Sequence, residues 1–172
     1  MKTIKTFALL FIIFGASNTF AQTKTDAEVV NQTNEVLVAY YNIKDALVAT
    51  NGKLASTKAA DFLTKLNAIN TNKLTAAQKE FYKPLKDKLA FDAEHINETQ
   101  DAEHQRDHFG SLSTNVLLLV KAFKGNQSDA YVQYCPMVKK SWLSNDKAIK
   151  NPYYGDKMLT CGKVTETLGK NK

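Results

Sequence analysis

Apolar residues recur at helical spacing through much of this chain, and this periodicity constrains its fold more than any other feature. Steps of three and four residues place side chains on one face of an α-helix. Four segments between Val29 and Phe123 show such steps, and short polar connections join them. The pattern predicts an all-α fold, an antiparallel four-helix bundle.

Two capping boxes indicate where helices begin. Thr25 is followed three residues later by Glu28, and Thr75 is followed at the same distance by Gln78. In such a box the hydroxyl of the capping residue accepts a hydrogen bond from the backbone N–H of the third helical residue. The side chain of that third residue accepts in turn from the backbone N–H of the capping residue. The spacing therefore predicts helix starts at Thr25 and Thr75.

Residues that disfavour helix continuation indicate the other boundaries. Asn51-Gly52 is expected to end the first helix, because Gly readily adopts the left-handed conformation found there. Ser56 or Thr57 is expected to cap a shorter second helix. Pro84 falls inside the third helical pattern and predicts a kink or a break there.

The N-terminus has the pattern of an export signal. Lys2 and Lys5 precede the apolar run Phe7–Phe14, and Thr19 and Ala21 are small residues suited to signal peptidase cleavage. The run is shorter than the roughly 20 residues that span a bilayer, which disfavours an uncleaved anchor. Residues 1–21 are therefore predicted to be a signal peptide, and the mature chain is expected in the periplasm or secreted.

The mature chain, residues 22–172, is expected to form a single helical domain. Its helical bundle is assigned to 22–125, and 126–172 is expected to be a loop-rich Cys/Met appendage with one short helix near 137–143.

Without Lys2 and Lys5 the net charge falls from +6 to +4, and no long basic run is present. These features argue against nucleic acid as a partner. No further apolar stretch is long enough for a membrane span in the mature chain.

All sulfur atoms of the mature chain fall in two short clusters within this appendage. Cys135 and Met137 belong to a C-P-M sequence, and Met158 and Cys161 belong to M-L-T-C. Thiolates and thioethers are soft donors that favour Cu(I) over hard cations. If the two clusters meet in space, they would form a soft-metal site.

A disulfide is the alternative explanation of the two cysteines. An exported protein with two Cys commonly joins them, and a Cys135–Cys161 bond would close a loop of about 26 residues. On the chain-entropy model such a bond contributes about 3 kcal/mol of stability. This interpretation describes a disulfide-stapled interaction domain without a metal.

The histidines add a weaker indication of metal binding. His104 and His108 are four residues apart, so they share one helical face and could chelate an ion. Solvated or partly packed histidines are the simpler explanation. His104 lies on a polar face where the appendage could fold back and add an imidazole to the sulfur donors. His95 is expected to be a surface residue.

The sequence gives no support for catalysis. It contains no Gly-rich phosphate loop and no G-x-S-x-G elbow. Gln105, Arg106 and Asp107 separate the two neighbouring histidines, where a zinc protease would carry its catalytic Glu. The chain is therefore expected not to be an enzyme.

Six stretches of the sequence carry a family resemblance: Tyr40–Val48, His104–Arg106, Tyr134–Met137, Trp142–Ser144, Ile149–Gly155 and Met158–Gly162. They resemble the exported family called domain of unknown function 3347. Members that resemble this chain stand alone in the periplasm of Bacteroidetes-type bacteria, and related domains are joined to adaptor subunits of copper/silver-type efflux systems. The family has no assigned activity.

The resemblance implies a role in handling heavy metals. Cys135, Met137, Met158 and Cys161 become candidate ligands for Cu(I) or Ag(I), with His104 as a weaker fifth. The expected function is a periplasmic soft-metal-binding module linked to metal resistance or efflux. The alternative is a disulfide-stapled domain that docks on an efflux adaptor or another envelope protein.

Overall fold

The computed structural model describes residues 25–170, so the predicted signal peptide and its predicted cleavage site lie outside the described residues. Four α-helices are followed by three β-strands. The helices are α1 (Ala27–Val48), α2 (Gly52–Asn67), α3 (Ala76–Glu98) and α4 (Ala102–Phe123). The strands are β1 (Ala130–Cys135), β2 (Lys140–Ser144) and β3 (Lys163–Leu168), and short 3-10 helices lie at Thr71–Lys73 and Gly155–Met158.

The four helices pack around one apolar core, as their periodicity predicted. Each helix contacts the next in sequence, and α1 also packs against α4. Each helix buries one apolar stripe, which is the arrangement expected of amphipathic helices. The largest buried aromatic side chains of the bundle are those of Tyr40, Phe62, Tyr82, Phe109 and Phe123.

The C-terminal segment forms a three-stranded antiparallel sheet, so the expectation of a purely all-α fold is wrong. The strand order is β2-β1-β3, and β2 packs against α4. The expected helix near 137–143 is also wrong, because residues 136–139 form a turn and β2 follows it. The burial of β1 does not alternate, because a register shift lies between Val132 and Gln133, so the strand shows no clear period-two pattern. The sheet depends instead on pairing between distant segments.

Side-chain caps confirm one predicted helix start and correct the other. Thr75 and Gln78 form the expected reciprocal capping box. At α1 the cap is Asp26, whose carboxylate accepts from the backbone N–H of Glu28 at 2.9 Å, so the Thr25 box is wrong. Asp is at least as good an N-cap as Thr and also favours the positive end of the helix dipole.

The boundary between α1 and α2 lies earlier than expected. α1 ends at Val48, and the side chain of Asn51 accepts from the backbone N–H of Leu54 at 2.9 Å. Asn51 therefore starts α2 rather than ending α1, and the expected cap at Ser56 or Thr57 is wrong. Asn is a preferred N-cap residue, which accounts for the earlier start.

The third helix continues through its proline. Pro84 lies within α3, which runs without interruption over 23 residues, so the prediction of a break at this position is wrong. The flanking residues Tyr82, Leu85 and Leu89 are buried in the core. Their burial offsets the backbone hydrogen bond that an interior proline removes.

One buried hydroxyl joins the bundle to the sheet. The backbone N–H of Leu143 in β2 donates to the Tyr40 hydroxyl at 3.1 Å. That hydroxyl donates to the oxygen of Ser113 at 2.7 Å, and Ser113 donates to the carbonyl oxygen of Phe109 at 2.7 Å. Burial raises the pKa of Tyr40, so the group remains a neutral hydroxyl. This chain of bonds fixes β2 against α1 and α4.

Candidate functional site

The sheet brings the two cysteines together. Cys135 is the last residue of β1, and Cys161 lies two residues before β3. Because β1 and β3 are antiparallel, the end of one strand lies beside the start of the other. The two sulfur atoms are 3.3 Å apart and are not bonded to each other in the structure. Cys135 is buried, whereas Cys161 is partly exposed to solvent.

A tight turn surrounds the Cys135 sulfur with backbone donors. The turn occupies residues 136–139 between β1 and β2, and Lys139 adopts a φ of +55° within it. The backbone N–H groups of Met137 and Val138 lower the pKa of the Cys135 thiol, and that of Met137 also acts to lower the pKa of Cys161. Converging backbone N–H groups of this kind favour a negatively charged acceptor.

The environment separates the acidities of the two thiols. Burial alone would raise the pKa of Cys135, but the bonds from the Val138 N–H, the Cys161 thiol and the Met137 N–H outweigh it and lower that pKa. The pKa of Cys161 is raised, first because its thiol bonds to Cys135, then by burial and by the Cys135 charge. Cys135 is therefore the more acidic of the two thiols and loses its proton first as the pH rises, while the remaining proton is held between the two sulfurs.

Asn151 holds the segment that carries Cys161. Its side-chain amide donates to the carbonyl oxygen of Cys161 at 2.8 Å, and its side-chain oxygen accepts from the N–H of Tyr153 at 2.9 Å. Its backbone N–H donates to the carbonyl oxygen of Leu159 at 2.8 Å. The same side chain also acts to lower the pKa of Cys135. Asn151 is fully buried, so these bonds form in an environment from which water is excluded.

A glycine after the second cysteine allows the chain to pass close to an aromatic residue. Gly162 has a φ of +150°, and a Cβ atom there would lie 2.9 Å from the ring of Trp142. Trp142 is buried in β2 and packs edge-on against Tyr153 at a centroid distance of 5.9 Å. The Cys-Gly sequence therefore fits a close contact between the Cys161 loop and Trp142.

Arg106 connects the bundle to the same segment. Its buried guanidinium donates from Nε to the carbonyl oxygen of Pro152 at 2.9 Å. One terminal nitrogen donates to the carbonyl oxygen of Leu47 at 3.0 Å and to the hydroxyl of Thr50 at 2.9 Å. The other pairs with the carboxylate of Glu103 at 2.8 Å. The Arg106 side chain thus joins α4 to the end of α1 and to the segment around Pro152.

The two methionines lie in the chain segments next to the cysteines. Met137 is two residues from Cys135 in the turn, and 63% of its surface is exposed. Met158 ends a 3-10 helix and is half-buried, and its carbonyl oxygen accepts from the N–H of Cys161 at 3.0 Å. The Met137 thioether is therefore accessible and does not fill the core.

The predicted fifth ligand, His104, lies on another side of α4. Its exposed ring packs against His108 at a centroid distance of 5.1 Å, and His108 contacts His95 of α3. The α4 residues that bond to the C-terminal segment include Glu103, Arg106, Asp107 and Lys121. The addition of His104 to the sulfur donors stays a prediction. Within residues 25–170, no cluster of three or more His, Cys, Asp or Glu side chains is arranged to hold a metal ion.

Asn151 and Arg106 were not identified as site residues from the sequence. A signal for each was nevertheless present. Asn151 begins the N-P-Y-Y-G sequence that carries part of the family resemblance, and Arg106 is the only arginine of the chain. A lone arginine among many lysines indicates a position that needs several fixed donors.

The fold and the site define a mainly helical protein whose C-terminal sheet holds two cysteines in contact. Residues 36–128 match the family described as "Protein of unknown function (DUF3347)", and the chain belongs to this family. The match covers most of the bundle and ends before β1, so the cysteine pair lies outside it. Comparisons with curated proteins and with solved structures gave no match. None of the helices described is long and apolar enough to cross a membrane.

Proposed function

We propose that this protein is an exported soft-metal-binding module for Cu(I) or Ag(I). The observation that carries the proposal is the separation of 3.3 Å between the Cys135 and Cys161 sulfurs, beside backbone donors that favour a thiolate. Thiolate sulfur is the donor that Cu(I) prefers among protein groups. The thiol groups would bind the ion as it arrives and release their protons.

The sulfur pair needs little movement to bind an ion. Two thiolates at about 2.3 Å from one tetrahedral metal are roughly 3.8 Å apart. The present separation of 3.3 Å would therefore open by about half an ångström. The exposed thioether of Met137 is available as a further neutral ligand, and Met158 lies one turn before Cys161.

The thioethers suit a protein that passes its ion on. A thioether carries no proton at any relevant pH, so Met137 can bind or release the ion without acid-base chemistry. The ion would enter and leave by ligand exchange between thioether and thiolate. The family resemblance supports an association with heavy-metal resistance, in which the protein buffers the ion in the periplasm or transfers it to an efflux adaptor.

A second candidate function rests on the same sulfur separation. Oxidation of Cys135 and Cys161 needs only an approach of the two sulfurs to bonding distance, about 2 Å. The product would be a disulfide-stapled interaction domain that docks on an envelope or efflux-adaptor protein and binds no metal. This candidate predicts no free thiol in the native protein and full function with Met137→Leu.

Competition for Cu(I) against a colorimetric chelator, under reducing and oxygen-free conditions, tests the first candidate. The untagged mature protein should bind one ion per chain. Cys135→Ser combined with Cys161→Ser should weaken binding by at least about 100-fold and keep the helical circular dichroism. Thr160→Ala, an exposed neighbour of Cys161, is the matched control and should bind normally.

Two results would contradict the soft-metal proposal. Unchanged affinity of the double variant would exclude the cysteines as ligands. An intact mass of the native periplasmic protein that is lower by two hydrogen atoms, with no thiol open to alkylation, would support the disulfide-stapled domain instead.

A further inference from the structure

The separation of the two cysteine sulfurs lies between the separations of two different bonded states. The Cys135 and Cys161 sulfurs are 3.3 Å apart. A disulfide would bring them to about 2 Å, whereas two thiolates on one tetrahedral ion would be roughly 3.8 Å apart. Either state therefore requires a change of no more than about 1.3 Å in this separation, which rotation of the side chains can supply.

The backbone on both sides of the pair is held by bonds that neither state has to break. Cys135 ends β1, and β1 is paired with β3 along its length. The Asn151 side chain donates to the carbonyl oxygen of Cys161 at 2.8 Å, and the Cys161 N–H donates to the carbonyl oxygen of Met158 at 3.0 Å. A change between the two states is therefore expected in the two cysteine side chains, while the strands stay paired.

The two states exclude each other chemically. A soft cation of the Cu(I) type is held by the charge and the lone pairs of thiolates. Formation of a disulfide uses the same two sulfurs and removes both charges. The neutral thioethers of Met137 and Met158 would then be the only sulfur donors left in the mature chain. Oxidation of the pair therefore removes the charged ligands of the site.

Solvent reaches the two thiols unequally. None of the Cys135 surface is exposed, whereas Cys161 is partly exposed in the loop that precedes β3. A thiolate and the disulfide that it attacks must approach each other closely, so access helps to set the rate of exchange. A disulfide from solution can therefore reach Cys161, while the surrounding chain shields Cys135.

We propose that the cysteine pair is a redox switch on the metal site: exchange with a small-molecule disulfide begins at Cys161, is completed by Cys135, and releases the bound ion. The proposal rests on the metal-binding function proposed above. The oxidant is any low-molecular-weight disulfide in the same compartment. An excess of the corresponding thiol reverses the reaction and restores the site.

The exchange takes place in two steps. Once the ion has left the Cys161 sulfur, or the thiol proton has passed to solvent in the metal-free protein, the Cys161 thiolate attacks one sulfur of the small disulfide. That S–S bond breaks, and the first small thiolate leaves. The Cys135 thiolate then attacks the Cys161 sulfur, and the second small thiolate leaves. The chain loses two electrons, the small disulfide gains them, and the ion departs in its original oxidation state.

Two single-cysteine variants of the mature chain test the order of attack without any metal. Oxidised glutathione is the probe, and mass spectrometry is the readout. Cys135→Ser keeps the accessible thiol and should accumulate a mixed disulfide with one glutathione. Cys161→Ser keeps the buried thiol and should react at least about 10-fold more slowly. Equal rates in two variants that keep the helical circular dichroism would overturn the proposed order.

Peptide mapping of the unaltered protein gives the same answer if either variant folds poorly. Samples quenched with acid early in the reaction should carry glutathione on Cys161 and not on Cys135. Later samples should contain the internal disulfide instead, because the second sulfur is 3.3 Å away. Early modification of Cys135 would overturn the proposal.

Release of the ion is tested on the Cu(I)-loaded protein without oxygen. Oxidised glutathione should transfer copper to a colorimetric chelator at least about 10-fold faster than reduced glutathione of equal sulfur content. The reduced form is the control for capture of copper by the small thiols that the reaction produces. A protein whose internal disulfide is verified by mass and that still keeps its ion would overturn the switch.

Failure of the proposed function gives a different result. If the fully reduced protein binds no Cu(I), the metal-binding function is refuted and the ion-release step with it. The order of attack is measured without metal and is decided by the glutathione kinetics alone.

Discussion

The Nε atom of Arg106 donates a hydrogen bond to the carbonyl oxygen of Pro152 at 2.9 Å, and this bond links α4 to the segment that carries Cys161. The same guanidinium bonds to the end of α1 through Leu47 and Thr50. The planar fork of an arginine can serve several fixed acceptors at once, which an ammonium group cannot. The geometry of the cysteine pair therefore depends on the helical bundle as well as on the sheet.

Arg106→Met is expected to destabilise the protein and weaken its soft-metal site. The change leaves the buried carbonyl oxygens of Pro152 and Leu47 without this donor, at a cost of about 2–4 kcal/mol in the free energy of unfolding. Urea denaturation measures this loss. Lys121→Met is the control, because its ion pair with Glu166 is half exposed and contributes less than about 1 kcal/mol. Equal effects of the two changes would contradict the assigned role of Arg106.

Asn151→Ala is expected to loosen the Cys161 loop. It removes the bonds to the Cys161 carbonyl and to the Tyr153 N–H, with a cost of about 1–3 kcal/mol. Cu(I) affinity in the chelator competition should fall by about 10- to 100-fold. The exposed Asn145→Ala should change neither quantity. A destabilised Asn151 variant with unaltered Cu(I) affinity would limit this residue to a role in folding.

Thiolate absorbance in the ultraviolet should resolve two titration steps in the reduced protein. One step should lie below the ordinary thiol pKa of about 8.5 and the other above it, since the pKa of Cys135 is lowered and that of Cys161 is raised. Cys161→Ala removes a donor to the thiolate and should raise the pKa of Cys135. Cys135→Ala should lower the pKa of Cys161 towards the ordinary value. A single step for both thiols would show that they do not share a proton.

Met137→Leu separates metal binding from packing. Because 63% of the Met137 surface is exposed, the free energy of unfolding should change by less than about 0.5 kcal/mol. Cu(I) affinity should nevertheless fall, because leucine supplies no sulfur. Met137→Gln, which is polar and also lacks sulfur, should give the same loss. Unchanged affinity in both variants would remove Met137 from the ligand set.

The helical part of the fold could be predicted because its signals are local. The capping box of Thr75 and Gln78 and the apolar spacing of α4 are properties of neighbouring residues. The exact start of a helix was ambiguous where two neighbouring residues could both act as the N-cap. Asp26 replaced Thr25 as the cap of α1, and periodicity gives no basis for choosing between them.

The sheet and the site depend on contacts between distant residues. β3 is almost entirely exposed, so it has no buried face whose alternation could identify it. The contact between Cys135 and Cys161 follows from the β1–β3 register, which spacing does not determine. The approach of His95 to His108 likewise requires that α3 and α4 pack with one particular rotation.

The buried Tyr40 hydroxyl has a consequence for how the protein would lose an ion. Detaching β2 from the helices would break the hydrogen bond between the Leu143 N–H and the buried Tyr40 hydroxyl, and both groups would lose a partner at a cost in free energy. The sheet therefore cannot separate from the helices at low cost, and the two should melt in one cooperative step. Heating would then disrupt a site at the end of β1 only together with the whole chain, whereas ligand exchange in the folded protein would not require the sheet to detach.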